Sequence, residues 1–259
     1  MSQHITLPSD SSMQYYPDNT IAHYVTKLPE RIHLDGDYEI GLAEIIYPHS
    51  WYNIDNYDDK YWFAFTVVGT MSAKQYLPSG YYNSPDEFVT ELTEQAKKAF
   101  ANQVNFGAQF LYDGKTNKIV MQVQSRQNID GVTLSPALKR FLGFSGHWTV
   151  AKEPYLIADR TFDLNAGLAL MYVYCDIAAY TIVGDTKAPL LRVCHVTGKH
   201  GENVRITYDH PHYVPLSRRD FDTVEININT ELGQPVPFEF GKSVVTLHLR
   251  RRHEKTLLL

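Results

Sequence analysis

The chain has 259 residues, of which 44% are hydrophobic and 20% charged, and its formal net charge is −5. This length suffices for one large β domain or two small ones, and the negative charge excludes a protein that binds nucleic acid over its whole surface. Two cysteines without a Cys-x-x-Cys motif exclude a disulfide-rich scaffold and a zinc knuckle.

Short segments rich in β-branched and aromatic residues lie between turn residues along most of the chain. Strands are predicted at residues 20–27, 38–47, 61–68, 108–112, 118–124, 168–177, 190–196, 204–208, 223–229 and 243–250. In several of them apolar and polar residues alternate, and Val224, Ile226 and Ile228 share one face in this way. The alternation predicts an all-β fold in which antiparallel sheets pack as a sandwich.

Two helices are predicted among the strands. Ser84 can cap the first helix, Pro85 suits its first position and Glu87 completes a capping box, so this helix should extend to about Asn102. The second starts at Ser135-Pro136 and ends at Gly143. With the hairpin at 108–124, they form a predicted helix–hairpin–helix insertion at about 84–146 within one domain that spans 1–259. Residues 143–167 are predicted to form a long loop.

Two short motifs resemble ligand sites. Gly114-Lys115-Thr116 matches the end of a phosphate loop, but Gln109 stands where that motif needs a glycine, so a hairpin turn is the preferred interpretation. His210-Pro211-His212 resembles the metal-binding pair of a cupin-type enzyme. No glutamate follows before Glu225, which favours a polar surface loop. Catalytic, cofactor-binding and metal-binding residues are therefore not predicted.

Two loops are rich in aromatic residues, at 51–62 and at 76–82. Tyr and Trp often anchor protein interfaces, so these loops are candidates for subunit contact, with core or loop packing as the alternative. The candidate residues are Trp51, Tyr52, Trp62, Tyr81 and Tyr82.

The first of these loops also carries three acidic residues, Asp55, Asp58 and Asp59. Because it lacks the turn glycine of a calcium loop, a solvated loop is the preferred interpretation. Aromatic rings beside carboxylates can also hold a sugar, so a carbohydrate- or receptor-binding module is an alternative function.

The C-terminal segment is basic, and Arg250, Arg251 and Arg252 are candidates for contact with packaged DNA or with an acidic partner surface. A solvated strand end is the alternative. Cys175 and Cys194 lie in apolar segments, where a buried thiol acts as a small hydrophobic group, and whether they pair is open. The N-terminal segment is not basic followed by an apolar run, so no signal peptide is predicted. The sequence has no long apolar run, so no membrane span is predicted.

Several segments spread along the chain carry a resemblance to a known family. They are SMQYYPDNT at 12–20, YEIGLAEI at 38–45, YPHSWYN at 47–53, GYYNS at 80–84, FLGF at 141–144, VGD at 183–185, PLLR at 189–192, PFEFGK at 237–242 and LHLRR at 247–251. With them, nearly the whole chain resembles the minor capsid (penton) proteins of Polinton, or Maverick, elements and of their adintovirus relatives.

This resemblance implies a single jelly-roll β-sandwich that assembles as a homopentamer at the vertices of an icosahedral virus-like particle. It implies a double jelly-roll major capsid protein as the neighbour, and a structural role without catalytic residues or a cofactor. The expected location is the virion, assembled in the host nucleus or cytoplasm.

Overall fold

The computed structural model describes residues 2–56, 58–99, 108–123, 129–146, 148–149, 155–164 and 168–252. The chain divides into two compact units. The first, here called the sandwich unit, comprises Met1–Trp51 and Gly167–Leu259, and the second, the inserted unit, comprises Tyr52–Ala166. The inserted unit is therefore larger than the insertion predicted at 84–146.

The elements were numbered in chain order. They are β1 (Ser2–Pro8), β2 (His23–His33), β3 (Tyr38–Pro48), β4 (Trp62–Val67), β5 (Thr70–Met71), β6 (Gln75–Tyr76), α1 (Pro85–Lys98), β7 (Ala108–Asp113), β8 (Lys118–Val123), β9 (Ile129–Leu134), α2 (Pro136–Leu142), β10 (Trp148–Thr149), β11 (Tyr155–Ile157), β12 (Leu170–Cys175), β13 (Thr181–Val183), β14 (Thr186–Ala188), β15 (Leu190–His195), β16 (Asn203–Thr207), β17 (Val214–Pro215), β18 (Asp220–Asn229) and β19 (Val244–Arg251).

Two antiparallel sheets form the sandwich of this unit, and β13 and β14 form a separate two-stranded hairpin. Sheet A has the strand order β1-β19-β3-β16, with β17 also paired to β3, and sheet B has the order β15-β12-β18-β2. Strands that are distant in the chain, such as β1 and β19, are therefore neighbours, whereas β2 and β3 lie in different sheets. This order is that of a jelly roll built from two Greek keys. The predicted all-β jelly-roll fold is confirmed.

Alternating apolar residues of both sheets form the core of the sandwich unit. Met171 and Val173 of β12, Ile226 of β18 and Leu247 of β19 are fully buried. Burial of one such side chain contributes about 1.5–3 kcal/mol. Tyr24 of β2 also lies in this core, and its hydroxyl donates a hydrogen bond to the carbonyl of Leu7 (3.0 Å). Burial raises the pKa of Tyr24 above its usual range.

The predicted strands of the sandwich unit are present with shifted ends, and β1, β13, β14 and β17 were not predicted. The strand predicted at 20–27 begins at His23 and continues through Pro29 to His33. Among the described residues β2 pairs only with β18, so it is an edge strand, where a proline removes no ladder hydrogen bond. Strand β1 was not predicted, because its register with β19 depends on residues at the other end of the chain.

The inserted unit contains both predicted helices and the predicted hairpin. The Ser84 hydroxyl accepts a hydrogen bond from the Glu87 N–H (3.1 Å), and the Glu87 carboxylate accepts one from the Asn83 N–H (2.8 Å). This capping arrangement starts α1, which ends at Lys98 rather than near Asn102, a residue outside the described part of the chain.

Helix α2 ends at Gly143 as predicted, where the backbone turns into the left-handed region (φ 83°). The residues predicted as a long loop at 143–167 include two short strands, so this prediction was wrong in part. Strand β10 pairs with β9, and β11 pairs with β8.

Strands β4 and β9, the β7–β8 hairpin and the two helices enclose a separate apolar core in the inserted unit. Its centre is aromatic: the ring centroids of Phe88 and Phe141 are 5.3 Å apart, and those of Phe63 and Phe110 are 5.6 Å apart. In the described part of the chain, no helix is long and apolar enough to cross a membrane.

Candidate functional site

Trp51, the first candidate for subunit contact, is part of the core of the sandwich unit. Only 5% of its surface is exposed. Its ring stacks on His49 with centroids 4.1 Å apart, and the ring of Phe238 meets it edge-on at 5.8 Å. Burial is the largest cause that lowers the pKa of His49, followed by the charge of His200. This position fits the alternative of core packing and leaves little of the indole for another subunit.

The four other aromatic candidates lie in the inserted unit, where the segments of three of them are joined by hydrogen bonds. Asn53 links the segment of Tyr52 to that of Tyr81 and Tyr82: its side chain donates to the Tyr82 carbonyl and accepts from the Tyr82 N–H, both at 2.9 Å. An isolated antiparallel β-bridge between Ile54 and Gly80 joins the same two segments.

Tyr82 is buried (8% exposed), and its hydroxyl donates to the carbonyl of Pro78 (3.1 Å). Burial, with smaller contributions from Glu91 and Glu87, raises the pKa of Tyr82 to about 12. Tyr52 and Tyr81 are half-buried. Their role in subunit contact, like that of Trp62 and the buried Trp51 and Tyr82, stays a prediction.

Trp62 is the first residue of β4, and its half-buried ring forms a cation–π contact with Lys74, whose ammonium lies 4.1 Å from the ring centroid. Cation–π contacts of this kind are worth roughly 0.5–1 kcal/mol at exposed sites. Trp62 is paired with Tyr76 of β6 across the sheet. The two aromatic loops at 51–62 and 76–82 therefore meet here as well.

One of the three acidic residues of the first loop forms an ion pair. Asp55 lies 3.7 Å from the Lys60 ammonium, whereas Asp58 and Asp59 are exposed. Residue 57 lies outside the described part of the chain. Trp51 is buried and Asp55 has a lysine partner, whereas Asp58 and Asp59 are exposed and Trp62 is half-buried. The sugar-binding alternative, which rested on this loop as a whole, stays a prediction.

The C-terminal arginines differ in their environment. The Arg250 guanidinium contacts the Glu39 carboxylate (2.7 Å) and stacks on the ring of Tyr213 (3.4 Å). Arg251 and Arg252 are exposed, and the Arg252 N–H donates to the carbonyl of Asp37 (2.8 Å). The positive charge available to a partner therefore lies on Arg251 and Arg252, with residues 253–259 outside the described range.

The other motifs lie in loops or in the core. His210 and His212 are exposed in the loop between β16 and β17, and Gly114-Lys115-Thr116 forms the turn of the β7–β8 hairpin. Among the residues that the structure describes, no group of three or more His, Cys, Asp or Glu side chains could hold a metal ion.

Both cysteines are free thiols in the core of the sandwich unit, and burial raises the pKa of each. Cys194 of β15 lies opposite Met171 rather than opposite Cys175.

Two further surface features were missed by the sequence analysis. A groove of about 510 Å³ lies between β15 and β16, and its lining includes Arg192, His195 and Arg205. On sheet A, His4 stacks on His248. The alternation of buried and partly exposed residues in β19 could have indicated that His248 faces solvent, whereas β15 has no regular alternation. Alternation could not have shown which strands become neighbours.

No protein-family model matches the chain, and no curated protein matches it either. Among solved structures, the chain is similar to the penton protein of mavirus, known from a crystal structure of the SeMet-labelled protein. The TM-score is 0.53 and the sequence identity is 9%, and the match covers 96% of this chain and 98% of that chain. At this identity the likeness concerns the fold, and it extends over nearly the full length of both proteins.

Proposed function

We propose that the chain is a minor capsid (penton) protein that forms the vertices of an icosahedral virus-like particle. The main support is the fold likeness to the mavirus penton protein, which includes nearly all of both chains and therefore the inserted unit as well as the jelly roll. The resemblance to the penton proteins of Polinton elements and adintoviruses, carried by segments such as 12–20 and 247–251, is an independent argument for the same role.

The proposed activity is self-association. Around a symmetry axis, one surface of each subunit contacts a different surface of the next, and closure of the ring fixes the number of copies. For a vertex this number is five, so the protein is expected to be a homopentamer. Its expected neighbour is a double jelly-roll major capsid protein, and its expected place is the virion, after assembly in the host nucleus or cytoplasm.

A structural role needs no converging catalytic groups. The histidines of the loop between β16 and β17 are exposed, and both thiols are buried with raised pKa values, so they are poor nucleophiles. The proposal assigns the exposed Arg251 and Arg252 to contact with packaged DNA or with an acidic partner surface.

The proposal can be tested by the mass of the purified protein in solution. Native mass spectrometry and light scattering should give a particle of five copies of the 29.7 kDa chain, alone or after addition of the major capsid protein. Electron microscopy of particles formed by co-expression should then show density for the chain at the five-fold vertices. A monomer in both settings, absent from the particles, would contradict the proposal.

A further inference from the structure

The two sheets of the sandwich unit each end in an edge strand beside a common groove. In the described part of the chain, β15 pairs only with β12, and β16 pairs only with β3. The groove between them has a volume of about 510 Å³. Unpaired strand edges are sites where an extended segment of another chain can add as a further strand.

The register of β15 shows which of its backbone groups face the groove. The N–H of Val196, just after the strand, donates to the carbonyl of Ala169 on the β12 side (2.9 Å). Hydrogen-bonded and non-hydrogen-bonded pairs alternate in antiparallel sheets. The N–H and C=O groups of His195 and Val193 therefore point away from β12, and both residues line the groove.

The same reasoning applies to β16. The N–H of Tyr208 donates to the carbonyl of Ala43 on the β3 side (2.8 Å). By alternation, the backbone groups of Thr207 and Arg205 point away from β3, and these residues also line the groove. Two rows of backbone donors and acceptors thus border one concave surface.

The opposite edge of sheet B is protected against such addition, in contrast to β15. Strand β2 contains Pro29, which has no N–H to donate, followed by the exposed and charged Glu30 and Arg31. A proline within an edge strand hinders strand addition because it removes a backbone donor. Strand β15, with the sequence LLRVCH, has no proline.

The charge of the groove indicates which kind of peptide segment could bind there as an added strand. Its described lining includes Arg192, His195 and Arg205 and no acidic residue. Arg192 lies over the ring of Tyr208 (3.7 Å) and is thereby held at the groove. Glu44 balances Arg205, since its carboxylate accepts from the Arg205 Nε at 2.5 Å. Among the described lining residues, Arg192 therefore carries the positive charge that no carboxylate compensates.

We propose that the edge of β15 is a binding site for an extended, acidic peptide segment of a partner protein, which adds to sheet B as a further strand with a carboxylate at Arg192. A six-residue strand spans about 20 Å, the length of β15 itself, which has six residues. Binding of such a segment does not require assembly of the chain.

The test uses the full-length protein and a fluorescent probe peptide, acetyl-Thr-Glu-Val-Glu-Val-Thr-amide, in an anisotropy titration. Two further versions of the peptide carry N-methyl groups on alternate residues. In one version the methyl groups block the N–H donors along one edge of the extended peptide, and in the other version they block those along the opposite edge. We expect the parent peptide to bind and one N-methylated version to bind at least about tenfold more weakly, because it lacks donors toward β15, while the other binds like the parent. A version with Lys in place of Glu should not bind.

The protein side of the test uses Arg192→Gln, with Arg160→Gln as the control, since Arg160 is exposed in the inserted unit. Arg192→Gln should lower the affinity for the parent peptide about tenfold, and Arg160→Gln should leave this affinity unchanged. Equal affinity of all peptides, failure of the parent to bind, or an unchanged Arg192→Gln variant would overturn the proposal. So would a single-stranded oligonucleotide whose binding is abolished by Arg192→Gln, because the groove would then be a nucleic-acid site.

Discussion

His4 and His248 face each other directly across the β1–β19 pair, with ring centroids 4.6 Å apart and ring planes only 13° from parallel. The His248 ring is also held at both nitrogens. Its Nδ1 lies 2.6 Å from the Tyr213 hydroxyl, and its Nε2 lies 2.5 Å from the Ser2 hydroxyl. The stack thus joins the edge strand β1 to β19 within sheet A and brings two imidazole rings into contact.

The first prediction is a loss of stability in mild acid. Burial, the neighbouring His4 and the charge of Arg250 lower the pKa of His248 from its usual 6.5. For a base with a lowered pKa in the folded state, the stabilisation is present above pH 6.5 and is lost as the pH falls toward the folded-state pKa. We expect the free energy of unfolding to fall by up to about 1 kcal/mol between pH 7.5 and pH 5, the cost of like charges across strands.

Urea denaturation of the wild type and of His4→Gln over this pH range measures the effect. The variant should lose less stability in acid than the wild type, and amide hydrogen exchange should report earlier opening of β1 in the wild type. His210→Gln is the control, because this histidine is exposed in a loop. Equal pH dependence of all three proteins would show that the stacked pair does not act in this way.

Much of the sandwich was predictable because its strands carry their own pattern. In β18 the apolar Val224, Ile226 and Ile228 alternate with polar residues, and all three are fully buried. Such alternation needs no knowledge of the partner strand. The strand predicted at 20–27 stops short of Pro29, whereas β2 continues through this proline to His33. Only the sheet order shows that β2 is an edge.

The surfaces were less predictable than the strands, because each depends on residues that are distant in the chain. Arg250 belongs to a basic run in the sequence, but Glu39 on β3 neutralises it. Trp51 stands in a loop rich in polar residues, yet Phe238 from the other end of the chain buries it. In both cases the pairing of sheet A brings the partners together, and a linear pattern contains no information on that pairing.

The second prediction concerns the end of α2. Gly143 has a φ of +83°, and a Cβ at this position would lie 2.5 Å from the carbonyl oxygen of Arg160. A left-handed conformation alone costs an L-residue roughly 1–2 kcal/mol. We expect Gly143→Ala to lower the free energy of unfolding by at least about 2 kcal/mol. Gly146→Ala is a matched control with no atom within 4 Å, and it should change stability by less than about 0.5 kcal/mol.

The third prediction separates core packing from subunit contact among the aromatic candidates. Trp51→Ala should destabilise the subunit by about 3–5 kcal/mol, as expected for a buried tryptophan. Tyr52→Ser and Tyr81→Ser, at half-buried positions, should change the unfolding free energy by less than about 1 kcal/mol but weaken assembly. Chemical denaturation and light scattering on each variant measure the two effects. Unchanged assembly in both tyrosine variants would remove these residues from the interface.

The fourth prediction concerns the C-terminal arginines and DNA. Each phosphate contact contributes about −0.9 to the slope of log K against log salt concentration for duplex DNA. We expect Arg251→Gln and Arg252→Gln each to make this slope shallower by about 1. Arg250→Gln should leave the slope unchanged, because Glu39 already neutralises this side chain, and should cost at most about 1 kcal/mol of stability. Anisotropy titrations of a duplex at 50–200 mM salt measure the slopes. Identical slopes for the wild type, Arg251→Gln and Arg252→Gln would assign the two exposed arginines to a protein partner instead.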